Sequence, residues 1–262
     1  MTAPKPYTTQ LQAGLGLIQE TRVLLALWQP GMSGPELYQA ALQAGAFPAM
    51  SARRLRNMIT EGFVPRYLYE GARPARTLKM LTTTLMTGEL NQLFFLYTCR
   101  AHSILADFVR EVYWVRYAGG GGTIANALAQ DFIRRAIDDG KTARRWSEST
   151  LQRVASYLTG TCADYGLLGK LGRQGRQLLP YRLETRVAVY LAYELHFGGL
   201  GDNALLAHPD WQLFGLDRQA VRDTCKRLSL HGYFILQTAG DVTHIGWTYK
   251  NWEELSDGLA QG

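Results

Sequence analysis

The sequence has few cysteines, no long hydrophobic run and no apolar N-terminal stretch, and each absence excludes a class of protein. Its three cysteines, Cys99, Cys162 and Cys225, are odd in number and far apart, which predicts neither a disulfide framework nor a metal site. The densest apolar run, VLLALW from Val23, is far shorter than the ~20 residues that span a bilayer. The opening MTAPKPYTTQ lacks the apolar core of a secretory signal. We therefore expect a cytoplasmic protein with buried thiols and no membrane partner.

The chain also lacks the signatures of common enzymes. Its five histidines show neither the i, i+4 pairing nor the short spacings of metal ligands, and no G-x-S-x-G or nucleotide-binding glycine motif is present. The glycine run Gly119–Gly122 is not followed by the Lys and the Ser or Thr of a phosphate-binding loop. Asp107 and Glu111, spaced i, i+4, could bind a divalent ion, but solvent-facing or ion-paired carboxylates are far commoner. We expect no catalytic residue, no metal and no cofactor.

Positive charge is concentrated in two segments. The whole chain carries 28 Lys and Arg residues against 22 Asp and Glu residues. Residues 141–186 hold nine basic and three acidic side chains, a net charge of +6, and residues 51–79 hold seven basic and two acidic ones, a net charge of +5. Such a localised positive field suits a polyanionic partner, although solvated basic faces are also common in other proteins.

Residues 1–118 predict an all-helical N-terminal domain. Apolar residues at helical spacing between positions 8 and 28 predict one helix. Ser33 and Ser51 each precede an apolar-periodic stretch, which predicts that they are the N-caps of the next two helices. The four glycines at 119–122 predict a flexible connection to the rest of the chain.

Residues 119–186 predict a first winged-helix-like unit, which begins with helices. The sequence WSEST from Trp146 predicts the start of a helix over residues 149–165. An apolar stripe from Leu151 to Tyr165 faces the core in this prediction, so the polar residues between its members face outward. The outward residues are Thr150, Gln152, Arg153, Ser156 and Tyr157.

A glycine-rich hairpin with basic side chains follows that helix. Backbone conformation explains Gly169, Gly172 and Gly175, because hairpin turns require positive φ angles, which glycine adopts without steric cost. Hairpin geometry does not explain the basic residues of this segment, Lys170, Arg173 and Arg176. A helix followed by a cationic hairpin is the plan of a winged helix, in which the helix enters a DNA groove and the wing contacts phosphates.

Residues 187–252 repeat the same order and predict a second winged-helix-like unit. Trp146 precedes Gly166 by 20 residues, and Trp211 precedes Gly232 by 21, with each tryptophan before a helix and each glycine at its end. A divergent internal repeat is the simplest explanation of this order.

The second unit differs from the first in charge. Its predicted hairpin turns at Ala239, Gly240 and Asp241, and the acidic Asp241 makes this tip a poor phosphate contact. The last residues, 253–262, contain further acidic side chains and predict an acidic tail.

Several segments, in order along nearly the whole chain, resemble one protein family. These segments are YTTQLQAGLGLIQET from Tyr7, PRY from Pro65, ILADFVREV from Ile104, WSEST from Trp146, YGLL from Tyr165 and AGDVTHIGW from Ala239. They resemble the BrxA family of small accessory proteins in bacterial BREX phage-defence systems. The resemblance implies a non-enzymatic, DNA-associating component that works beside a methyltransferase and ATPases, and it offers no catalytic residues. An older likeness of such proteins to a helical RNA-binding antitermination factor keeps RNA as an alternative partner.

Together these patterns predict a mainly α protein that binds double-stranded DNA with little sequence readout, as part of antiviral defence. The residues assigned to DNA are Thr150, Gln152, Arg153 and Tyr157 near the groove, Arg144, Arg145, Lys170, Arg173 and Arg176 at phosphates, and Arg53, Arg54 and Arg56 at a second contact. One alternative is a scaffold whose winged helices bind other defence subunits, because the fold alone does not exclude it. The other alternative is an RNA-binding regulator.

Overall fold

The computed structural model describes residues 6–13, 16–239 and 242–261 of the 262-residue chain. Helices account for most of these residues, and the strands form two small antiparallel sheets. The prediction of a mainly α protein is therefore confirmed. None of the helices in these ranges combines the length and the apolar content that a bilayer-spanning segment needs.

The described residues fall into two compact units. The first unit takes its residues from 1–79 and 94–181, and the second takes its residues from 80–93 and 182–262. This division differs from the boundaries expected from the sequence, because residues up to 79 and 94–118 share a unit with the first predicted winged-helix region, while residues 80–93 belong to the second unit. The glycine run is therefore not a boundary between compact units.

Long-range contacts give the first unit one shared core. Tyr113 Oη donates a hydrogen bond to the Leu179 carbonyl over 2.8 Å, and the rings of Phe95 and Tyr165 have centroids 5.5 Å apart. Tyr165 Oη also donates to the Gly16 carbonyl over 2.8 Å. The two hydrogen bonds join residues that are 66 and 149 positions apart, so no local sequence pattern predicts this core.

The chain before residue 119 is built from helices joined by short turns. Two of its long helical stretches contain a π-helical turn, at Met58–Phe63 and at Val109–Tyr113. The α-helices are α1 (Ile18–Leu27), α2 (Gly34–Gln43), α3 (Ala52–Asn57), α4 (Val64–Tyr67), α5 (Arg73–Leu81), α6 (Thr87–Ala101), α7 (Ser103–Phe108) and α8 (Trp114–Ala118).

Local capping explains where α2 and α3 begin. The Ser33 side chain accepts from the backbone N–H of Glu36, while Glu36 Oε2 accepts from the backbone N–H of Ser33 over 2.7 Å, which is a complete capping box. Ser51 Oγ accepts from the Arg54 backbone N–H over 3.3 Å. Both predicted N-caps are confirmed.

The single helix predicted between residues 8 and 28 is wrong. A 3-10 turn at Gln10–Ala13 comes first, and α1 begins only at Ile18. Leu17, directly before α1, has a left-handed backbone conformation with φ 47°, which is incompatible with a continuous helix. Leu15, one of the apolar residues used for the prediction, lies outside the described residues.

The first sheet contains three antiparallel strands in the order β1–β3–β2. These strands are β1 (Thr123–Ile124), β2 (Leu168–Gly172) and β3 (Gly175–Leu178). Two helices, α9 (Asn126–Asp138) and α10 (Glu148–Asp164), lie between β1 and β2 in sequence. The β2–β3 pairing confirms the predicted hairpin, and β1 adds a strand that makes β3 the central one.

The glycines of this hairpin do not share one role. Gly175 has φ +116°, and a Cβ at this position would collide with the Ile124 carbonyl, so both backbone conformation and packing require glycine. Gly169 and Gly172 have no positive φ, so the expectation of left-handed conformations at these two positions is wrong.

The glycine run before β1 is a hydrogen-bonded turn and not the flexible connection expected from composition. The N–H groups of Gly119, Gly120 and Gly121 donate to carbonyls in the last turn of α8, over 2.9 to 3.1 Å. The Gly122 carbonyl accepts from the Leu178 N–H over 3.0 Å, which attaches the run to β3. The run therefore closes α8 and leads directly into the sheet.

The C-terminal part of the second unit contains four helices and a hairpin among its described residues. A 3-10 turn at Pro209–Phe214 precedes its third helix. The elements are α11 (Thr185–Phe197), α12 (Asp202–Leu206), α13 (Arg218–Leu230), β4 (Phe234–Ala239), β5 (Val242–Trp247) and α14 (Trp252–Gln261). The β4–β5 pairing confirms the second predicted hairpin, while Gly240 and Asp241 of its tip lie outside the described residues.

The acidic tail predicted at 253–262 is instead the amphipathic helix α14. Leu255 and Leu259 are buried, and Asn251 caps the helix, because its Oδ1 accepts from the Glu254 N–H over 2.8 Å. The acidic side chains occupy the exposed side of this helix, which is why the sequence resembles a solvated tail.

Candidate nucleic-acid interface

Helix α10 divides its residues between core and solvent largely as predicted. Its N-cap is Ser147, whose Oγ accepts from the Thr150 backbone N–H over 3.3 Å. Gln152, Arg153 and Ser156 are exposed, whereas Thr150 and Tyr157 are half-buried. The residues predicted to face the core, Leu151, Val154, Ala155, Leu158, Cys162 and Tyr165, are all buried.

Helix α10 exposes one cation, Arg153, and two carboxylates, Glu148 and Asp164. The carboxylate of Glu148 is paired with Arg134 Nη2 over 3.0 Å, so its charge is partly balanced. Gln152 Nε2 lies 3.5 Å from the same carboxylate. Arg153 is exposed and makes no hydrogen bond or ion pair with the described residues. Its guanidinium is therefore available to an external partner.

The β2–β3 hairpin presents two exposed cations. Lys170 and Arg173 are exposed, and neither has a polar partner in the part of the chain that the structure describes. Arg176 differs, because it is half-buried and its Nη1 donates to the Gly169 carbonyl over 3.2 Å. Arg176 therefore stabilises the hairpin through a hydrogen bond from β3 to β2. Leu171, with 68% of its surface exposed, is an apolar residue on this hairpin that the sequence analysis missed.

The segment before α10 adds two exposed arginines. Arg144 has no polar partner among the described residues, and Arg145 Nη2 lies 3.8 Å from Asp138 Oδ1. The Arg145 and Asp138 side chains are 84% and 66% exposed, so solvent screens this contact strongly. Both arginines remain available at the N-terminal side of α10.

The second basic segment, residues 51–79, presents fewer free cations than its sequence implies. Arg66 is buried, Arg73 pairs with Glu70, and Arg76 Nη2 donates to the Gly71 carbonyl. Lys79 Nζ donates to three carbonyls at the end of α1. Arg76 is exposed as well, so the exposed cations of this segment whose side chains make no hydrogen bond or ion pair with the described residues are the three predicted ones, Arg53, Arg54 and Arg56.

The two predicted winged-helix-like units share the way in which their last helix ends. Gly166 and Gly232 have φ angles of +80° and +78°. The residue after each glycine donates back to the helix, with Leu167 N–H to the Cys162 carbonyl and Tyr233 N–H to the Leu228 carbonyl. These bonds are typical of a left-handed glycine that terminates a helix.

The tryptophans of the proposed repeat are not equivalent. Trp146 is half-buried and directly precedes the N-cap Ser147. Trp211 is buried within a 3-10 turn, its Nε1 donates to the Leu205 carbonyl over 2.9 Å, and the next N-cap, Asp217, follows six residues later. Their similar spacing from the glycines therefore arises because α10 is longer than α13.

The second hairpin has a different surface from the first. Strands β4 and β5 contain no Lys or Arg, and Ile235 and Val242 are 66% and 62% exposed. This hairpin thus exposes two large apolar residues and no Lys or Arg, whereas the first exposes two cations beside Leu171.

Asp107 and Glu111, the carboxylates spaced i, i+4, both contact other side chains of the protein. Asp107 Oδ2 accepts from Tyr7 Oη over 2.6 Å, and Asp107 Oδ1 lies 3.3 Å from Arg110 Nη1. Glu111 pairs with Lys141 over 3.6 Å. Within the described residues, no group of three or more His, Cys, Asp and Glu side chains is arranged to hold a metal ion.

Comparison with protein families agrees with the resemblance drawn from the sequence. A family model for BrxA matches residues 5–194 of the chain. The chain belongs to the BrxA family. BrxA proteins are accessory proteins of BREX phage-defence systems and are not a known enzyme family. The late AGDVTHIGW segment lies beyond the matched residues, so the family match covers less of the chain than the sequence resemblance did. No curated protein matches the chain.

Several motifs that resemble BrxA meet in the core of this BrxA-family protein. Gly16, Arg66 and Tyr165 come from three such segments, and both Arg66 Nη1 and Tyr165 Oη donate to the Gly16 carbonyl, over 3.5 and 2.8 Å. His102 is buried nearby, where burial and the Arg66 charge lower its pKa to about 3. Gly16, Arg66 and Tyr165 are therefore buried structural residues, whereas most residues of the candidate interface are exposed.

Proposed function

We propose that this BrxA-family protein binds double-stranded DNA as a component of a BREX defence system. The observation that carries this proposal is a set of three exposed cations, one on α10 and two on the β2–β3 hairpin. Arg153, Lys170 and Arg173 have no polar partner among the described residues, and the main carboxylate of the helix face, Glu148, is already paired with Arg134. An α-helix fits the major groove of DNA, and exposed cations on such a helix and on an adjacent hairpin suit contacts with DNA phosphates.

The order of secondary structure supports a winged-helix arrangement for residues 119–186. In this arrangement α10 is the groove helix, and the β2–β3 hairpin is the wing. Thr150, Gln152, Arg153 and Tyr157 approach the groove, while Arg144, Arg145, Lys170 and Arg173 contact phosphates. Arg176 has a smaller share of phosphate binding than we expected from the sequence, because its guanidinium hydrogen-bonds within the hairpin.

A scaffold function is the second candidate, and the second hairpin is the observation that favours it. The exposed Ile235 and Val242 on strands without basic residues suit an apolar protein surface better than a phosphate backbone. In this proposal the winged-helix-like region at 187–252 binds another BREX subunit. The two functions are compatible, because they use different hairpins.

A binding assay with matched nucleic acids tests the main proposal. A fluorescent duplex DNA, each of its single strands and an RNA of the same sequence are titrated with the full chain, with and without purified BREX subunits. We expect the tightest binding to duplex DNA without any partner. Binding to RNA alone would favour the regulator hypothesis, and nucleic-acid binding that requires a partner subunit would favour the scaffold.

A further inference from the structure

A groove of about 880 Å³ lies in the first unit, away in sequence from α10 and the hairpin. It is formed by the turn between α1 and α2, by the exposed side of α2 and by the helix that contains α3. Its volume is within the range of small-ligand sites, and its lining combines apolar surfaces with a few polar groups. The residues that matter most here are Gln29, Pro30, Met32, Gln39, Gln43 and Arg56.

Arg56 lies over the ring of Tyr38 at this groove. The Arg56 guanidinium carbon lies 5.1 Å from the centroid of the Tyr38 ring, and Tyr38 is only 8% exposed. This cation–π contact covers one side of the guanidinium, whereas Arg56 itself is exposed and lines the groove. A planar guanidinium that is supported from behind is a surface on which an aromatic ring can stack.

The remaining lining suits the edge of a flat, uncharged ring with hydrogen-bonding groups. The amides of Gln29, Gln39 and Gln43 each provide both donors and acceptors, as in glutamine contacts with nucleobases. The acidic lining residue Glu36 accepts hydrogen bonds from the Ser33 N–H and Oγ, over 2.7 and 2.6 Å, and these bonds lower its pKa. Its negative charge disfavours a phosphate inside the groove.

Positive charge for phosphates is available outside the groove. Arg53 and Arg54 are exposed on the same short helix as Arg56, and neither lines the groove. A ligand with a neutral ring and an anionic backbone would therefore place its ring at Arg56 and its charges at these two arginines. This separation matches a nucleotide whose base is turned away from its phosphates.

We propose that this groove binds an unstacked base of a single-stranded nucleic acid. The base stacks on Arg56 and meets the glutamine amides, and the flanking phosphates contact Arg53 and Arg54. Duplex DNA does not satisfy this site, because its bases are paired and stacked within the helix. The site does not depend on α10 or the β2–β3 hairpin, since it uses Arg53, Arg54 and Arg56, the second DNA contact expected from the sequence, which this proposal assigns to a single strand instead of the duplex.

Two charge-conserving variants test the stacking role of Arg56. Arg56→Lys keeps the positive charge but removes the planar guanidinium, and Arg218→Lys makes the same change at an exposed arginine outside the proposed site, at the start of α13. The probes are a short fluorescent single-stranded DNA, an RNA of the same sequence and the corresponding duplex DNA. We expect Arg56→Lys to weaken single-strand binding about tenfold, Arg218→Lys to weaken it by less than about twofold, and both variants to bind the duplex like the parent.

Cross-linking gives an independent readout of position. A single-stranded probe with one photoreactive thio-substituted base is irradiated with the parent protein, and the modified peptides are mapped by mass spectrometry. The proposal predicts cross-links within residues 29–43, to DNA, RNA or both, and the reacting probe identifies the type of strand. The proposal is overturned if the parent binds neither single strand, if Arg56→Lys binds them like the parent, or if the cross-links fall only within residues 144–176.

Discussion

Arg186 Nε donates to Glu89 Oε1 over 2.8 Å, and the two side chains are 16% and 6% exposed. Arg186 Nη1 also donates to the carbonyls of Thr84 and Leu259, over 3.2 and 3.1 Å. The pair therefore links the beginnings of α6 and α11 with the end of α14. Glu89 also neutralises the charge of Arg186, so this residue adds little to the positive surface, although it belongs to the most basic segment of the sequence.

Replacing Arg186 by Met should destabilise the second unit strongly. The change leaves the Glu89 carboxylate buried without its cation, which typically costs about 3 to 5 kcal/mol. The free energy of unfolding is measured by urea denaturation. The control is Arg73→Met, which breaks an exposed pair with Glu70 and should cost less than about 1 kcal/mol. Similar losses in the two variants would contradict the buried character of the Arg186–Glu89 pair.

His102 should make the stability of the protein depend on pH below neutrality. Its pKa falls from 6.5 to about 3 on folding, first because of burial and second because of Arg66. Between these values the unfolded chain binds a proton that the folded chain does not, so stability is intact above pH 6.5 and falls as the pH is lowered. The loss between about pH 7 and pH 5 should be about 2 kcal/mol.

Substituting this histidine isolates its part of the pH dependence. His102→Gln cannot titrate, so its unfolding free energy should fall about 2 kcal/mol less than that of the parent over the same pH interval. His231→Gln, at an exposed histidine, should reproduce the parental pH dependence. A His102→Gln protein with the parental slope would show that another group carries the effect.

Features that depend on neighbours in sequence were predictable. Ser33, Ser51 and Asp217 cap their helices through residues three positions away, and such contacts follow directly from the order of the side chains. The apolar stripe of α10 was predictable for the same reason. The exposed Arg153 follows from its position between the members of that stripe.

Features imposed by distant contacts were not predictable from local patterns. The left-handed Leu17 follows Gly16, whose N–H donates to Asp164 Oδ2 over 2.9 Å, and this contact spans 148 positions. The groove at Arg56 is likewise assembled from segments that share no sequence pattern. In α14, by contrast, the i, i+4 spacing of Leu255 and Leu259 was visible, but the acidic residues suggested a tail.

The first hairpin should contribute to duplex binding, and the second should not. Lys170→Ala combined with Arg173→Ala should weaken duplex affinity without changing stability by more than about 0.5 kcal/mol, because both side chains are solvated. The matched control is Gln237→Ala combined with Thr238→Ala in the exposed part of β4. Equal losses of affinity from the two hairpins would mean that their difference in charge has no role.

Duplex binding should weaken steeply with salt. If Arg144, Arg145, Lys170 and Arg173 contact phosphates, log affinity should fall with log salt concentration at a slope of about −4, which is roughly two decades between about 50 and 200 mM. Fluorescence anisotropy over this range measures the slope. The Lys170 and Arg173 double variant should have a slope closer to zero by about 2. A flat response in the parent would contradict phosphate contacts.

Variants of Arg153 distinguish a DNA-binding role of α10 from a partner-binding role. The side chain is exposed, while Leu151, Val154 and Leu158 hold the opposite face of α10 in the core. Neither Arg153→Ala nor Arg153→Glu should therefore lower the melting temperature. Arg218→Glu changes net charge by the same amount on the exposed start of α13, and it serves as the matched control.

The decisive measurement is the duplex DNA affinity of Arg153→Glu beside that of Arg153→Ala, Arg218→Glu and the parent, on well-folded protein. We expect Arg153→Glu to weaken binding at least about tenfold more than Arg153→Ala, because a carboxylate at this position is repelled by phosphates, and we expect Arg218→Glu to bind nearly like the parent. Parental affinity in a folded Arg153→Glu protein, together with weaker capture of BREX subunits, would contradict the DNA-binding role of α10 and favour the scaffold.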